Sequence, residues 1–198
     1  MKVIIFLFIA SIAYQSIAQD NHQSEVEAFQ KKMNKKFKNP KQSPLPEKEI
    51  ADFKGLDYFP IDEHYSVFAK FIRYDNPGIT KIKTSTKRIA YYYKYAKLEF
   101  TLDSQTHQLN VYQSSKNFDS NKKRLFLLFT DLTNGKESYA GGRYINLTIP
   151  DGDEIILDFN KSYNPYCAYN YNYSCPIPPA ENHLEVSIKA GVKKAPKH

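Results

Sequence analysis

The residue types with the most chemistry in this 198-residue chain crowd its last third. Cys167 and Cys175 are the only cysteines and enclose seven residues. A thiol pair at that spacing can be a disulfide, two buried thiols or half of a metal site. Zinc ligands usually stand about two to four residues apart and come with a second Cys/His pair. None follows here, so no metal is expected. Asp158, Glu181 and His183 flank the same stretch and include the groups of a general acid–base pair. Arg143 follows Gly141 and Gly142 and precedes Tyr144. Its planar fork could clamp a carboxylate or phosphate through two parallel hydrogen bonds. No GxSxG, HExxH, P-loop or GxGxxG signature is present. The five histidines, His22, His64, His107, His183 and His198, stand at no metal-ligand spacing, and His22 and His198 fall in ends expected to fray.

These groups lie in or beside a long connection. Apolar alternation stops at Phe159 and resumes at Leu184. Connections in compact domains usually run about 4–6 residues, and long ordered ones are usually functional. Residues 160–183 carry Tyr163, Tyr166, Tyr169, Tyr171 and Tyr173, stiffened by Pro165, Pro176, Pro178 and Pro179. Stiff tyrosine-rich loops bind at low entropic cost. The competing reading is a flap over one end of a barrel, with Asn and Asp satisfying its own turns. The candidate ligand residues are Arg143, Tyr144, Asp158, Asn160, Tyr163, Asn164, Glu181 and His183.

The elements that would position them are strands. With 13 Phe and 16 Tyr but no Trp, the composition favours pleated surfaces. Period-two alternation marks Val67–Phe71, Leu98–Leu102, Leu109–Val111, Ile145–Ile149, Ile155–Phe159 and Leu184–Ile188, and residues 124–130 form an apolar run buried on both faces. Residues 91–95 (YYYKY) read as a further strand with aromatic neighbours. Asn134–Gly135 asks for a hairpin turn with φ > 0 at both positions, a turn is expected at Ser104–Gln105, and Pro150-Asp151-Gly152 turns the chain again. Seven to nine strands make a mainly β fold, an antiparallel barrel or sandwich. In this register residues 124–130, 143–149 and 154–159 are consecutive antiparallel strands, and Arg143 faces Asp158 across the last two.

One helix precedes the strands. Val26, Phe29, Met33 and Phe37 share a helical face, Ser24 is placed as N-cap with Glu27 at capping-box spacing, and Pro40 ends the element. Residues 40–49 form a Pro-rich linker. Upstream, Met1-Lys2, the apolar run 3–14 and Ser16-Ile17-Ala18 have the layout of a secretory signal peptide. The run is too short for a bilayer, which needs about 20 residues. The expected organisation is a leader over 1–18, helix and linker over 19–50, one β domain over 51–192 and a frayed basic tail over 193–198. Cleavage after Ala18 or Gln19 sends the chain to a periplasmic or extracellular space, where disulfide closure of Cys167 and Cys175 is the leading reading. Closing that loop stabilises by about 2.6 kcal/mol in the chain-entropy treatment.

The formal charge is +7, but of 28 basic residues only Arg73, Arg88, Arg124 and Arg143 are arginine. Lysine dominance is the pattern of a solvated surface rather than of base or phosphate readout. No nucleic-acid partner is expected, no membrane span in the mature chain, and a monomer.

Several motifs occur together: residues 52–62 (DFKGLDYFPID), 100–103 (FTLD), 131–144 (DLTNGKESYAGGRY), 157–167 (LDFNKSYNPYC) and 175–184 (CPIPPAENHL). As a set they resemble the DUF1684 family over about residues 26–193. The resemblance implies a β-rich domain and supplies no catalytic residues or cofactor. The reading that follows is an exported β-barrel binding module for a small polar or anionic ligand. The alternatives are a hydrolase-like enzyme using Asp158, Glu181 and His183, and an interaction domain of the cell envelope.

Overall fold

Eight strands form in the computed structural model, which describes residues 21–115 and 123–195. They are β1 (Ser66–Arg73), β2 (Ile79–Lys83), β3 (Ile89–Leu102), β4 (Gln105–Ser114), β5 (Arg124–Asp131), β6 (Arg143–Thr148), β7 (Glu154–Asp158) and the two-residue β8 (His183–Leu184). The main path runs β6-β5-β4-β3-β1-β7, with β2 beside β3 and β8 beside β5. All ladders are antiparallel except β5–β8. The sheet curls into a half-barrel whose end strands are β6 and β7. The signal-peptide reading over 1–18 and the last tail residues, 196–198, lie outside the described residues.

The barrel interior is filled by Phe71, Leu98, Phe100, Val111, Leu127 and Phe129, and is capped by Leu184, Ile188 and Ala190 from the C-terminal segment. A second cluster, Ile82, Tyr112, Leu128 and Tyr144, lies on the other face and packs with Tyr163. This explains the continuous apolar run in β5. Leu127 and Phe129 point inward, while Leu128 points outward into the second cluster, so both faces are covered.

The long connection does part of the sheet's work. Among the described residues β4 and β5 share one ladder pair, Tyr112–Phe126. Alongside it, the buried amide of Asn182 accepts from Asn110 N at 2.8 Å and donates to the carbonyls of Asn110 and Leu128, both at 2.8 Å. One side chain thus satisfies backbone groups that a regular ladder would have paired.

Helix α1 spans residues 21–38. Val26 and Phe37 are buried, as the helical period requires, and Phe37 stacks on Phe53 and meets Tyr169 edge-on. Ser24 is not the cap. It sits inside the helix and its hydroxyl donates to Asn21 O at 3.0 Å, a local bond open to any Ser in a first turn. Pro46 precedes a single turn, α2 (Glu47–Ile50), inside the expected linker.

Three turn readings change. The β3–β4 turn is Asp103–Ser104, with φ 51° and 60°, one residue earlier than expected. Asn134–Gly135 does not close a two-residue hairpin. Residues 132–142 separate β5 from β6, and Asn134 instead accepts from Asp131 N at 2.5 Å and donates to Tyr139 O at 2.5 Å. The Pro150–Gly152 turn does join β6 to β7, but these strands are not neighbours, because β7 pairs with β1. The strand order puts these two segments at opposite ends of the sheet, although they are adjacent in sequence. The last strand shrinks to His183–Leu184. The tail is not frayed at its start, since Lys193 N bonds Asp57 O at 2.9 Å and Lys194 N bonds Glu137 O at 3.0 Å.

Candidate functional site: a tyrosine-walled pocket beside a thiol pair

Gly142 sets the start of β6. Its φ is +86°, and a Cβ there would stand 2.6 Å from Phe129 O and from Pro178 Cγ. Only glycine allows that approach. Arg143 follows, and the structure places it in the core at 0% exposure rather than at a mouth. Its Nη2 donates to Asp131 Oδ2 at 2.7 Å and to Ile188 O at 2.8 Å, and Nη1 donates to Ala190 O. Burial pulls the guanidinium below its ordinary range, and the adjacent Asp131 carboxylate counters this. The expected Arg143–Asp158 pair is therefore corrected. Arg143 pairs with Asp131 and pins the C-terminal segment across the barrel. A buried pair of this kind holds only with further hydrogen bonds, and the two carbonyls supply them.

Tyr144, next along β6, points to the other face. Its hydroxyl donates to Pro176 O, and its ring meets Phe126 at 4.7 Å and Tyr163 at 5.9 Å, both edge-on. The backbones of Tyr144 and Tyr163 exchange two hydrogen bonds of 2.9 Å. This fixes the long connection onto the edge of β6. The result is a pocket of about 270 Å³ lined by Lys36, Phe126, Tyr144, Asn146, Tyr163 and Tyr166, with Met33, Pro165 and Cys175 completing the wall. Lys36 comes from α1; it donates to Tyr166 OH and lies 5.0 Å from that ring's centre. Among the described residues it is the only charged side chain in the lining. Burial raises the hydroxyls of Tyr144 and Tyr163 well above the usual tyrosine range, so both stay protonated donors.

The two cysteines stand at the back of this wall as buried free thiols, not as the expected disulfide. Cys167 N lies 3.2 Å from Cys175 Sγ. The Cys175 thiol donates to the Cys167 sulfur and holds Cys167 down to about 6, against the opposing effect of burial; Ser85 and Tyr139 hydroxyls add to the lowering. Cys175, the donor, is correspondingly raised, with burial adding to the rise. The pair shares one proton and favours a Cys167 thiolate.

The remaining candidates scatter. Asp158 ends β7, accepts from Asn160 N at 3.0 Å, and meets His22 at 3.2 Å and Lys161 at 3.4 Å. Asn160 clamps Asp62 through both backbone groups, and Asn164 donates to Tyr169 OH and Lys193 O. Both are buried tethers. Glu181 binds Lys94 and Tyr112, both on the sheet. Burial alone would raise Glu181, but hydrogen bonds from these two groups bring it below the ordinary carboxylate range. His183 is exposed beside Thr130 and Glu185. Asp158, Glu181 and His183 share no partner, so no acid–base pair assembles from them. Of the eight candidates, Tyr144 and Tyr163 meet in the pocket. Sequence reasoning missed Lys36 and Met33, although the lysine-dense end of the helix held the signal. It also missed Asp131, and it set aside His22 as frayed although its ring reaches Asp158. Among the described residues, no group of three or more His, Cys, Asp or Glu is placed to hold a metal, and no helix is long and apolar enough to cross a membrane.

Comparison with known proteins bears on the fold and the family. The family described as "Protein of unknown function (DUF1684)" matches residues 51–193, and the chain belongs to it. The chain is similar to an uncharacterized protein from gene locus rrnAC0354 of Haloarcula marismortui, solved by solution NMR. The two share 36% identity over 91% of this chain and 98% of that one, with a TM-score of 0.72. No curated protein matches.

Proposed function

We propose that this protein is an exported, monomeric binding module that holds a small polar or anionic ligand in the tyrosine-walled pocket. The observation that carries this is charge placement. Among the described residues, Lys36 is the one charged group in a lining otherwise made of aromatic rings, Met33, Pro165, Cys175 and the amide of Asn146. A planar ligand can stack on these rings, take hydrogen bonds from Asn146 and tyrosine hydroxyls, and place a carboxylate or phosphate at Lys36. The volume falls just under the ~300 Å³ at which ordinary ligand pockets begin, which suits a small metabolite. The sealed Arg143 takes no part in binding. Export rests on the leader-like residues 1–18. Intact mass of the native protein, starting at Gln19, checks that half of the proposal.

The binding half is tested by thermal shift with a panel of aromatic carboxylates and small phosphates, on wild type and on Lys36→Met. A ligand at about 100 times its Kd adds about 2.7 kcal/mol, a rise in Tm of roughly 5–10 °C for a domain this size. The rise should be largely lost in Lys36→Met. No shift across the panel, or equal shifts in both proteins, contradicts the proposal.

A further inference from the structure

A second opening follows from the unclosed sheet. Its two end strands, β6 and β7, flank a groove of about 740 Å³. Val67, Phe68, Ile145, Leu147, Ile155 and Ile156 line it. Successive residues of one strand point to opposite faces, so a wall that includes both Ile145 and Asn146, and both Ile155 and Ile156, runs along strand edges. The direction of the free backbone groups follows from the ladders. Tyr144 gives both its backbone groups to Tyr163, away from β5. At a two-residue repeat, Asn146 and Thr148 present theirs to the same side. On β7, Phe71 N donates to Asp153 O at 2.7 Å. The bonded pairs with β1 are therefore Ala69–Ile155 and Val67–Leu157, and Glu154, Ile156 and Asp158 face the groove. Phe68 and Ile156 are 76% and 56% exposed.

One end of the groove is acidic. Glu25, Glu63 and Asp158 stand there against Lys161 and His22. Lys161 is already shared between Glu25 at 3.3 Å and Asp158 at 3.4 Å. The charge left over is negative.

We propose that this seam takes an extended peptide strand, with alternate apolar side chains set between Ile145, Leu147 and Ile155 and a basic residue at the Glu25–Glu63–Asp158 end. The two rows of N–H and C=O groups, on β6 and on β7, that have no partner among the described residues match a strand's own backbone, which pairs by adding to a sheet edge. The apolar lining takes every second side chain. The added strand lies between β6 and β7 and brings the half-barrel towards closure. The site is separate from the tyrosine-walled pocket, and only Asn146 lines both.

The test is amide hydrogen exchange and NMR titration of the full chain with a capped hexapeptide of alternating Val and Thr ending in Lys. Protection should appear at Asn146 and Ile156. An analogue N-methylated at the bonding amides should bind about tenfold more weakly, the loss of one or two net hydrogen bonds. Ile156→Pro removes a groove-facing N–H without touching the ladder to β1, as an edge strand tolerates, and should cost a similar factor. Ile156→Ala keeps the N–H and should retain most of the affinity. Circular dichroism and Tm report whether each variant is folded. If Ile156→Pro unfolds the protein, the N-methylated peptide alone decides. Equal binding of that peptide, or no protection at either amide, overturns the proposal. So does protection that grows with protein concentration and needs no peptide, which assigns the seam to a second copy. Binding of a long-chain amphiphile but not of the peptide overturns it as well.

Discussion

Replacing Arg143 with methionine leaves Asp131 charged where no solvent reaches. Removing one partner of a buried pair typically costs about 3–5 kcal/mol, and here it also removes the guanidinium's hydrogen bonds to the carbonyls of Ile188 and Ala190. Chemical denaturation of Arg143→Met should show a loss of that size, while ligand response of the surviving folded protein stays intact. A near-neutral change would remove the latch role. The thiols predict a pH dependence under reducing conditions. Cys167 is held down to about 6, below its unfolded value of about 8.5. Between those two values the unfolded chain carries the extra proton, so stability rises with pH over that interval and is lost as pH falls through about 6. Cys175 is raised, so its contribution is present below the unfolded value and fades above it. Ultraviolet titration of thiolate should show one sulfur ionising near pH 6, and Cys167→Ser should abolish that step. Two sulfurs ionising together near the unfolded value would refute the shared proton.

At the scale of elements, α1 contributes more than a cover. It brings Met33 and Lys36 to the pocket and anchors through Val26 and Phe37. Phe37→Ala should cost about 3–5 kcal/mol and weaken pocket binding too, because the helix end that carries Lys36 loses its seat on Tyr169 and Phe53. A drop in stability with unchanged binding would separate the helix from the site. This helix was readable from the spacing of its apolar residues, and β1, β5, β6 and β7 from their alternation or continuous apolarity. The pairing of β7 with β1 was not readable. It depends on the curl of the whole sheet, which local turn signals such as Pro150-Asp151-Gly152 do not encode. Asn134–Gly135 misled for a related reason. A side chain that can bond its own backbone serves an eleven-residue loop as well as a tight turn.

The whole molecule places the pocket tyrosines on the outside of the curl and the fully buried Arg143–Asp131 pair inside. Alternation along β6 makes this division, with Arg143 inward and Tyr144 outward. The sequence placed both among the candidates because a strand's face is set by partners far along the chain. Tyr163 and Cys175 were legible as parts of a rigid loop, whereas Lys36 lies more than a hundred residues away and only the fold brings it in. The pocket therefore joins the α1 segment, which precedes residues 51–193, to the family domain. The most direct measurement is chemical-shift mapping of the labelled protein with the strongest stabiliser from the panel. Saturable shifts centred on Met33–Lys36, Asn146 and Tyr163–Tyr166, absent in Lys36→Met, are the predicted result. Shifts confined to other surfaces, or none at saturating ligand, would contradict the assignment of this pocket as the binding site.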